Sequence, residues 1–151
     1  MDNIYQVLVF IHIFSAIVGL GPGFILTTLA KPAKNMTELR HSYNLRHTIH
    51  TFVMIGGTLL LVSGLLMGLL NPALFKMGWY VTSLLLFLMA LAMGPMVLAP
   101  RSKPIKKLLE SHRGENIPEE YHGYARKLFQ AEYLENLIFL VIIALMILKP
   151  F

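Results

Sequence analysis

The chain has no cysteine. That excludes disulfides, thiolate metal sites and thiol nucleophiles, and leaves no thiol from which to read a redox compartment. Charge is scarce as well: 14% of the residues are Asp, Glu, Lys or Arg, against about 25% in an ordinary soluble domain. There is no Walker-type loop, dinucleotide fingerprint, zinc-protease motif or nucleophile elbow. The glycine-rich stretch GLGPGF, from Gly19 to Phe24, is not a phosphate loop, because it lies in an apolar run with no following Lys-Ser/Thr. The start, MDNIYQ, lacks a basic residue, and the apolar run behind it is too long for a signal core. It is therefore expected to stay as a membrane helix.

What the sequence does have is apolar length. Hydrophobic residues make up 56% of the chain, and mean hydropathy is +0.62. Four runs read as membrane spans, at about 4–29, 48–70, 79–98 and 131–148. At ~1.5 Å per residue each covers roughly 25–35 Å, enough for a bilayer core of about 30 Å. Of the 13 basic residues, eleven lie in two connections. Lys31, Lys34, Arg40 and Arg46 separate spans one and two; Arg101, Lys103, Lys106, Lys107, Arg113, Arg126 and Lys127 separate spans three and four. The connection between spans two and three carries only Lys76. The positive-inside rule puts both basic loops in the cytoplasm and both termini outside. The net charge of +5 is then a topology signal and not a nucleic-acid footprint. The expected fold is all-α: one integral membrane domain over residues 1–151, an antiparallel four-helix bundle in the cell membrane with lipids as its first partners.

Local signals refine the spans. Asn35 followed by Glu38 has capping-box spacing, so the second helix is expected to begin near Met36 and project into the cytoplasm. Asn71 and Pro72 predict an interfacial turn, with Trp79 and Tyr80 anchoring the third span. Gly94 and Pro95 predict a kink in that span. Ser102 and Pro104 look like a helix start, and KPIKKLLESHR reads as a short basic amphipathic helix stopped by Gly114, lying on the anionic inner leaflet. Pro118 with Glu119 and Glu120 marks the start of the last helix.

Small residues recur on helical faces: Ser15, Ala16, Gly19 and Gly23 in span one, and Gly57, Gly64 and Gly68 in span two. Such stripes allow close approach of a neighbouring helix, or of a flat macrocycle. His12 shares the face of Gly19 and Gly23, and His50 shares that of Gly57 and Gly64. An imidazole in hydrocarbon is costly, so His12 is either a functional group or a neutral ring bonded to a neighbouring helix. It lies ~12 Å inside the outer boundary, whereas His50 lies ~5 Å from the cytoplasmic edge. The two cannot share one iron. If His12 ligates haem, Met89 on span three is at comparable depth, with Met67 somewhat nearer the outside. At the inner boundary His47 and His50 on span two face Glu132 and Glu135 on span four, each pair spaced i, i+3. That set could bind a divalent metal, contact haem, relay protons, or form a structural network with Arg46 and Arg126.

Three stretches carry a resemblance: HIFSAIVGLGPGFILTTLAKP in the first span, GWYVTSLLLF opening the third, and ENLIFLVIIALMILKPF at the end. Together they resemble the HemJ-type membrane proteins, the haem-pathway protoporphyrinogen oxidases, and their CopD-like relatives, within which the chain is most similar to a small four-span group. By this resemblance His12 matches a histidine implicated in haem binding. The HemJ pattern has a lysine about four residues after the third-span tryptophan, and here that position is Ser83. The CopD-like side implies copper transport, for which clear Met pairs suited to Cu(I) are lacking.

The expected function is therefore a haem-b-binding membrane protein with a redox or haem-handling role, His12 as ligand, and Gly19, Gly23 and Gly57 beside it. A divalent metal at the cytoplasmic end, a homo-oligomer and a membrane redox partner are further expectations. The alternatives are a non-catalytic membrane subunit or scaffold, and a small proton-coupled or metal transporter.

Overall fold

Gly21 and Pro22 interrupt the first apolar run. Pro22 has no N–H to continue an α-helical ladder, and the chain crosses the break on tighter bonds, Phe24 N–H to the Gly21 carbonyl at 3.2 Å and Ile25 N–H to the Pro22 carbonyl at 3.1 Å. The first span is thus two helices, α1 (Asp2–Leu20) and α2 (Gly23–Ala30). A computed structural model describes residues 2–151. The remaining helices are α3 (Met36–Leu70), α4 (Gly78–Met93), α5 (Ala99–Ser111) and α6 (Glu119–Leu148), with a 3-10 turn at Pro72–Lys76 and a π-helical turn at Gly94–Leu98. No strand occurs among the described residues.

Four helical stretches are long and apolar enough to cross a membrane: Asn3–Ala30, Met36–Leu70, Gly78–Ser111 and Glu119–Leu148. Three of them have 30 or more residues, whereas about 20 suffice for the hydrocarbon core. The excess of α3, α5 and α6 lies at the end carrying the basic connections. Several expected boundaries are met. Asn35 Oδ1 accepts the Glu38 N–H at 2.8 Å, and Glu38 Oε2 accepts the Lys34 N–H at 2.8 Å, so α3 begins at Met36. Pro118 precedes α6, and the turn after Asn71 is the 3-10 segment.

Gly94 and Pro95 interrupt the regular α-helix, and the chain beyond them departs from the expectation. The π-turn carries the helix past Pro95 by letting the Ala99 N–H reach the Gly94 carbonyl five residues back. No new helix starts at Ser102. Pro104 sits inside α5, and Ser102 Oγ donates back to the Ala99 carbonyl at 3.0 Å. Nor does α5 lie free on the leaflet. Its Ile105 is fully buried in a second core with Met36 and Leu39 of α3 and Tyr121, Ala125 and Leu128 of α6. An amphipathic helix needs an apolar partner, and the projecting ends of α3 and α6 supply one. Arg40 closes this cap by donating from Nε to the Leu109 carbonyl at 3.1 Å and from its guanidinium to the His112 carbonyl, so two carbonyls at the end of α5 find partners.

Within the spans α1 packs chiefly on α3 and α4 on α6, while α2 touches both α3 and α6. The central core is Leu20, Leu60, Phe87, Ala90, Phe139 and Ile142, drawn from all four spans. Large apolar side chains such as Phe10, Ile17, Leu85 and Leu137 are more than half exposed on the outer faces, where a bilayer would cover them.

Candidate functional site

The inward stripe of α1 places Ser15, Gly19 and Leu20 in the interior, and His12 lies on the same stripe one turn nearer the outer end. Its Nδ1 is 2.9 Å from Ser63 Oγ on α3. Ser63 itself lies 2.7 Å from the Leu59 carbonyl and 3.1 Å from that of Leu60, the back-bonding habit of a helical serine. A hydroxyl has one hydrogen to donate. With that hydrogen on α3, the network assigns Ser63 as acceptor and His12 as the Nδ1–H tautomer, with the Nε2 lone pair free. Gly64 adjoins the ring: a Cβ there would stand 3.1 Å from His12 Cε1. Tyr80 of α4 donates to the Gly64 carbonyl at 2.9 Å. Ser15 and Ser83, each one turn deeper, are buried with hydroxyls that have no partner among the described residues. These five polar side chains make a polar layer in the outer half of the bundle.

Below the central core lies a second polar layer. Arg46 of α3 forms an ion pair with Glu132 of α6 and also donates to the Leu26 carbonyl of α2. Thr27 Oγ1 donates to Glu132 Oε2 at 2.8 Å. The guanidinium lies 5.2 Å from the Tyr43 ring centroid and 5.6 Å from that of Phe129. Asn136, one turn deeper on α6, faces Gly23 of α2, its Nδ2 at 3.5 Å from the glycine carbonyl. Thus three helices are tied together by one buried carboxylate and its partners.

The predicted site residues fall into three groups. His12 is held at the α1–α3 contact. Gly19 and Gly57 are taken up by helix packing: a Cβ on Gly19 would collide with the backbone of Gly56 and Gly57, and Gly57 borders the Phe87 ring. Gly23 borders Asn136 and Phe139. Met89 is 49% exposed and lies off the face of α4 that buries Phe87 and Ala90. His50 lies about 20 Å along α3 from Ser63, so the separation of the two histidines inferred from depth holds. The inner metal set does not converge. His47 and His50 are exposed, Glu132 is committed to Arg46 and Thr27, and Glu135 is partly buried. Among the described residues no three His, Asp or Glu side chains are grouped to hold a metal ion.

Haem can be judged against these donors. His12 offers one oriented nitrogen, and among the described residues no His, Asp or Glu cluster supplies a second ligand beside it. The core between the helices is filled by Leu20, Leu60, Phe87 and Phe139. A single histidine nitrogen is what these residues would offer a haem; they do not fit a macrocycle clamped between two side-chain ligands. Sequence reasoning missed Ser63, Thr27 and Tyr80 as partners. Their hydroxyls carried a signal only as rare polar groups on inward faces.

Fold and layers define a four-span helical integral membrane protein with polar groups buried in both halves of its bundle. The chain belongs to the family described as a predicted integral membrane protein, DUF2269, which matches residues 6–150. That description carries the membrane assignment alone. No curated protein and no solved structure matches the chain.

Proposed function

We propose that the protein binds haem b through His12 and has a redox or haem-handling role in the cell membrane. The observation that supports this best is the His12–Ser63 pair. Ser63 anchors the imidazole through Nδ1 and leaves the Nε2 lone pair available, and a hydrogen bond to the far ring nitrogen is what orients a metal-ligating histidine. Gly64 keeps a side chain from crowding the ring. Bound haem would supply the redox iron; the chain's part is to hold and orient the ligand nitrogen, with Ser15 and Ser83 as spare hydroxyls one turn deeper. The HemJ-like first span points the same way, while Ser83 in place of the HemJ lysine counts against protoporphyrinogen oxidation. A redox role further requires a membrane electron partner.

The test is the absorption spectrum of the protein purified from its native membrane. A Soret band is expected in the wild type and absent in His12→Ala. A preparation that stays colourless after haem addition overturns the reading.

A second reading, a cofactor-free membrane subunit, is favoured by one observation: Gly19 and Gly56 are consumed by the α1–α3 contact itself, leaving no room for a ligand between those two glycines. Retained helix content and partner association with no bound chromophore would select it.

A further inference from the structure

An open groove of about 380 Å³ lies at the basic end, between the last turn of α2 with the connection after it and the first half of α6. Lys31, His122 and Arg126 line it together with Tyr121, Phe129 and Tyr133, and no Asp or Glu lines it. Lys31 Nζ donates to Tyr133 Oη at 2.5 Å and lies 5.2 Å from the ring centroid. Neither Lys31 nor Arg126 has a carboxylate partner among the described residues, where the ion pair is Arg46 with Glu132.

The position of this groove matters as much as its charge. Lys31 follows the end of the first span, and Tyr133 lies at the start of the fourth. The groove therefore straddles the boundary between hydrocarbon and headgroups. Phe129 and Tyr133 are aromatic groups of the kind that settle at that boundary. The positive-inside rule places this boundary in the cytoplasmic leaflet, whose surface is anionic. A basic recess between membrane helices at that depth meets phosphate before it meets any soluble anion.

We propose that this groove is a binding site for the headgroup of an anionic phospholipid of the inner leaflet. Lys31 and Arg126 hold the phosphate, and the Phe129–Tyr133 wall lies along the glycerol and upper acyl chain. The site is separate from the His12 layer and does not depend on haem.

The experiment uses the full chain in nonionic detergent, with retained lipid counted by native mass spectrometry after addition of phosphatidylglycerol or phosphatidylcholine. Phosphatidylglycerol should be retained at least tenfold more strongly. Lys31→Gln and Arg126→Gln should each lower that retention about fivefold, the scale of one basic residue at a membrane surface. Lys31→Arg and Arg126→Lys should restore it. Two exposed α5 lysines give the control: the Lys103→Gln, Lys106→Gln double variant should retain lipid like the wild type. Equal retention of the two lipids overturns the proposal. So does a loss in the α5 control as large as in Lys31→Gln, which would mean diffuse attraction. Displacement of the lipid by equimolar inorganic phosphate also overturns it, in favour of a free-anion site.

Discussion

Arg46 on α3 and Glu132 on α6 form an ion pair whose side chains are each only 9% exposed, and Thr27 on α2 supplies a further hydrogen bond to the same carboxylate. Removing one partner strands a buried charge. Arg46→Leu or Glu132→Leu should therefore lower stability by about 3–5 kcal/mol, while the double Leu variant should lose less than the two singles combined. Thermal unfolding of the four proteins in one detergent gives the comparison; strictly additive losses would contradict the coupling.

Gly19 and Gly123 should behave in opposite ways. A Cβ at Gly19 meets the backbone of α3, which cannot rotate aside, so Gly19→Ala should loosen the α1–α3 contact and lower the melting temperature. A Cβ at Gly123 meets nothing within 4 Å. Gly123→Ala should stabilise α6 by up to about 1 kcal/mol through helix propensity. A neutral Gly19→Ala would show that the contact is not close.

Ser63→Ala leaves His12 Nδ1 without its partner. If His12 ligates haem, this change should keep the Soret band but weaken haem retention by about 10–100-fold, as loss of an orienting partner does. Haem titration of the apoprotein reads the shift. Unchanged retention would remove Ser63 from the positioning role.

Ile105 tests the cap at the basic end. Ile105→Ala should cost about 2–5 kcal/mol and open the segment around residues 99–118 to limited proteolysis, with the spans themselves protected. If α5 instead floated on the lipid surface, the loss would be small.

Trp79 is the only tryptophan in the sequence and so reports on its own surroundings. Lys149 Nζ lies 5.3 Å from a Trp79 ring centroid, and the Trp79 backbone N–H donates to the Phe151 carbonyl at 3.0 Å. Lys149→Ala should change the fluorescence emission and cost about 0.5–1 kcal/mol. An emission spectrum identical to wild type would show that the C-terminal turn does not rest on Trp79.

Apolar length and the uneven spread of Lys and Arg are one-dimensional properties, and they were sufficient for the four spans and for the expected orientation. Short-range chemistry was equally legible: Asn35 caps α3 three residues from Glu38, and Pro118 followed by Glu119 and Glu120 marks the start of α6. His12 could be singled out because an imidazole in hydrocarbon is rare. Its partner could not. Helical period says which face a residue occupies, but it does not say which helix meets that face or at what height, and Ser63 is one of many inward small residues. The same limit separates Gly19, spent on backbone contact, from Gly64, which adjoins the imidazole. The pairing of Arg46 with Glu132, 86 positions apart in the chain, was legible only as one of several alternatives for the inner end. Ile105 looked amphipathic in isolation, and only the projecting ends of α3 and α6 decided that its apolar face would be buried in protein. The sequence by itself determined the number of spans, the starts of α3 and α6 and the polar residues available, because hydropathy and capping act within a few turns. The tertiary structure alone decided which polar groups meet, because that depends on the relative height and rotation of helices far apart along the chain.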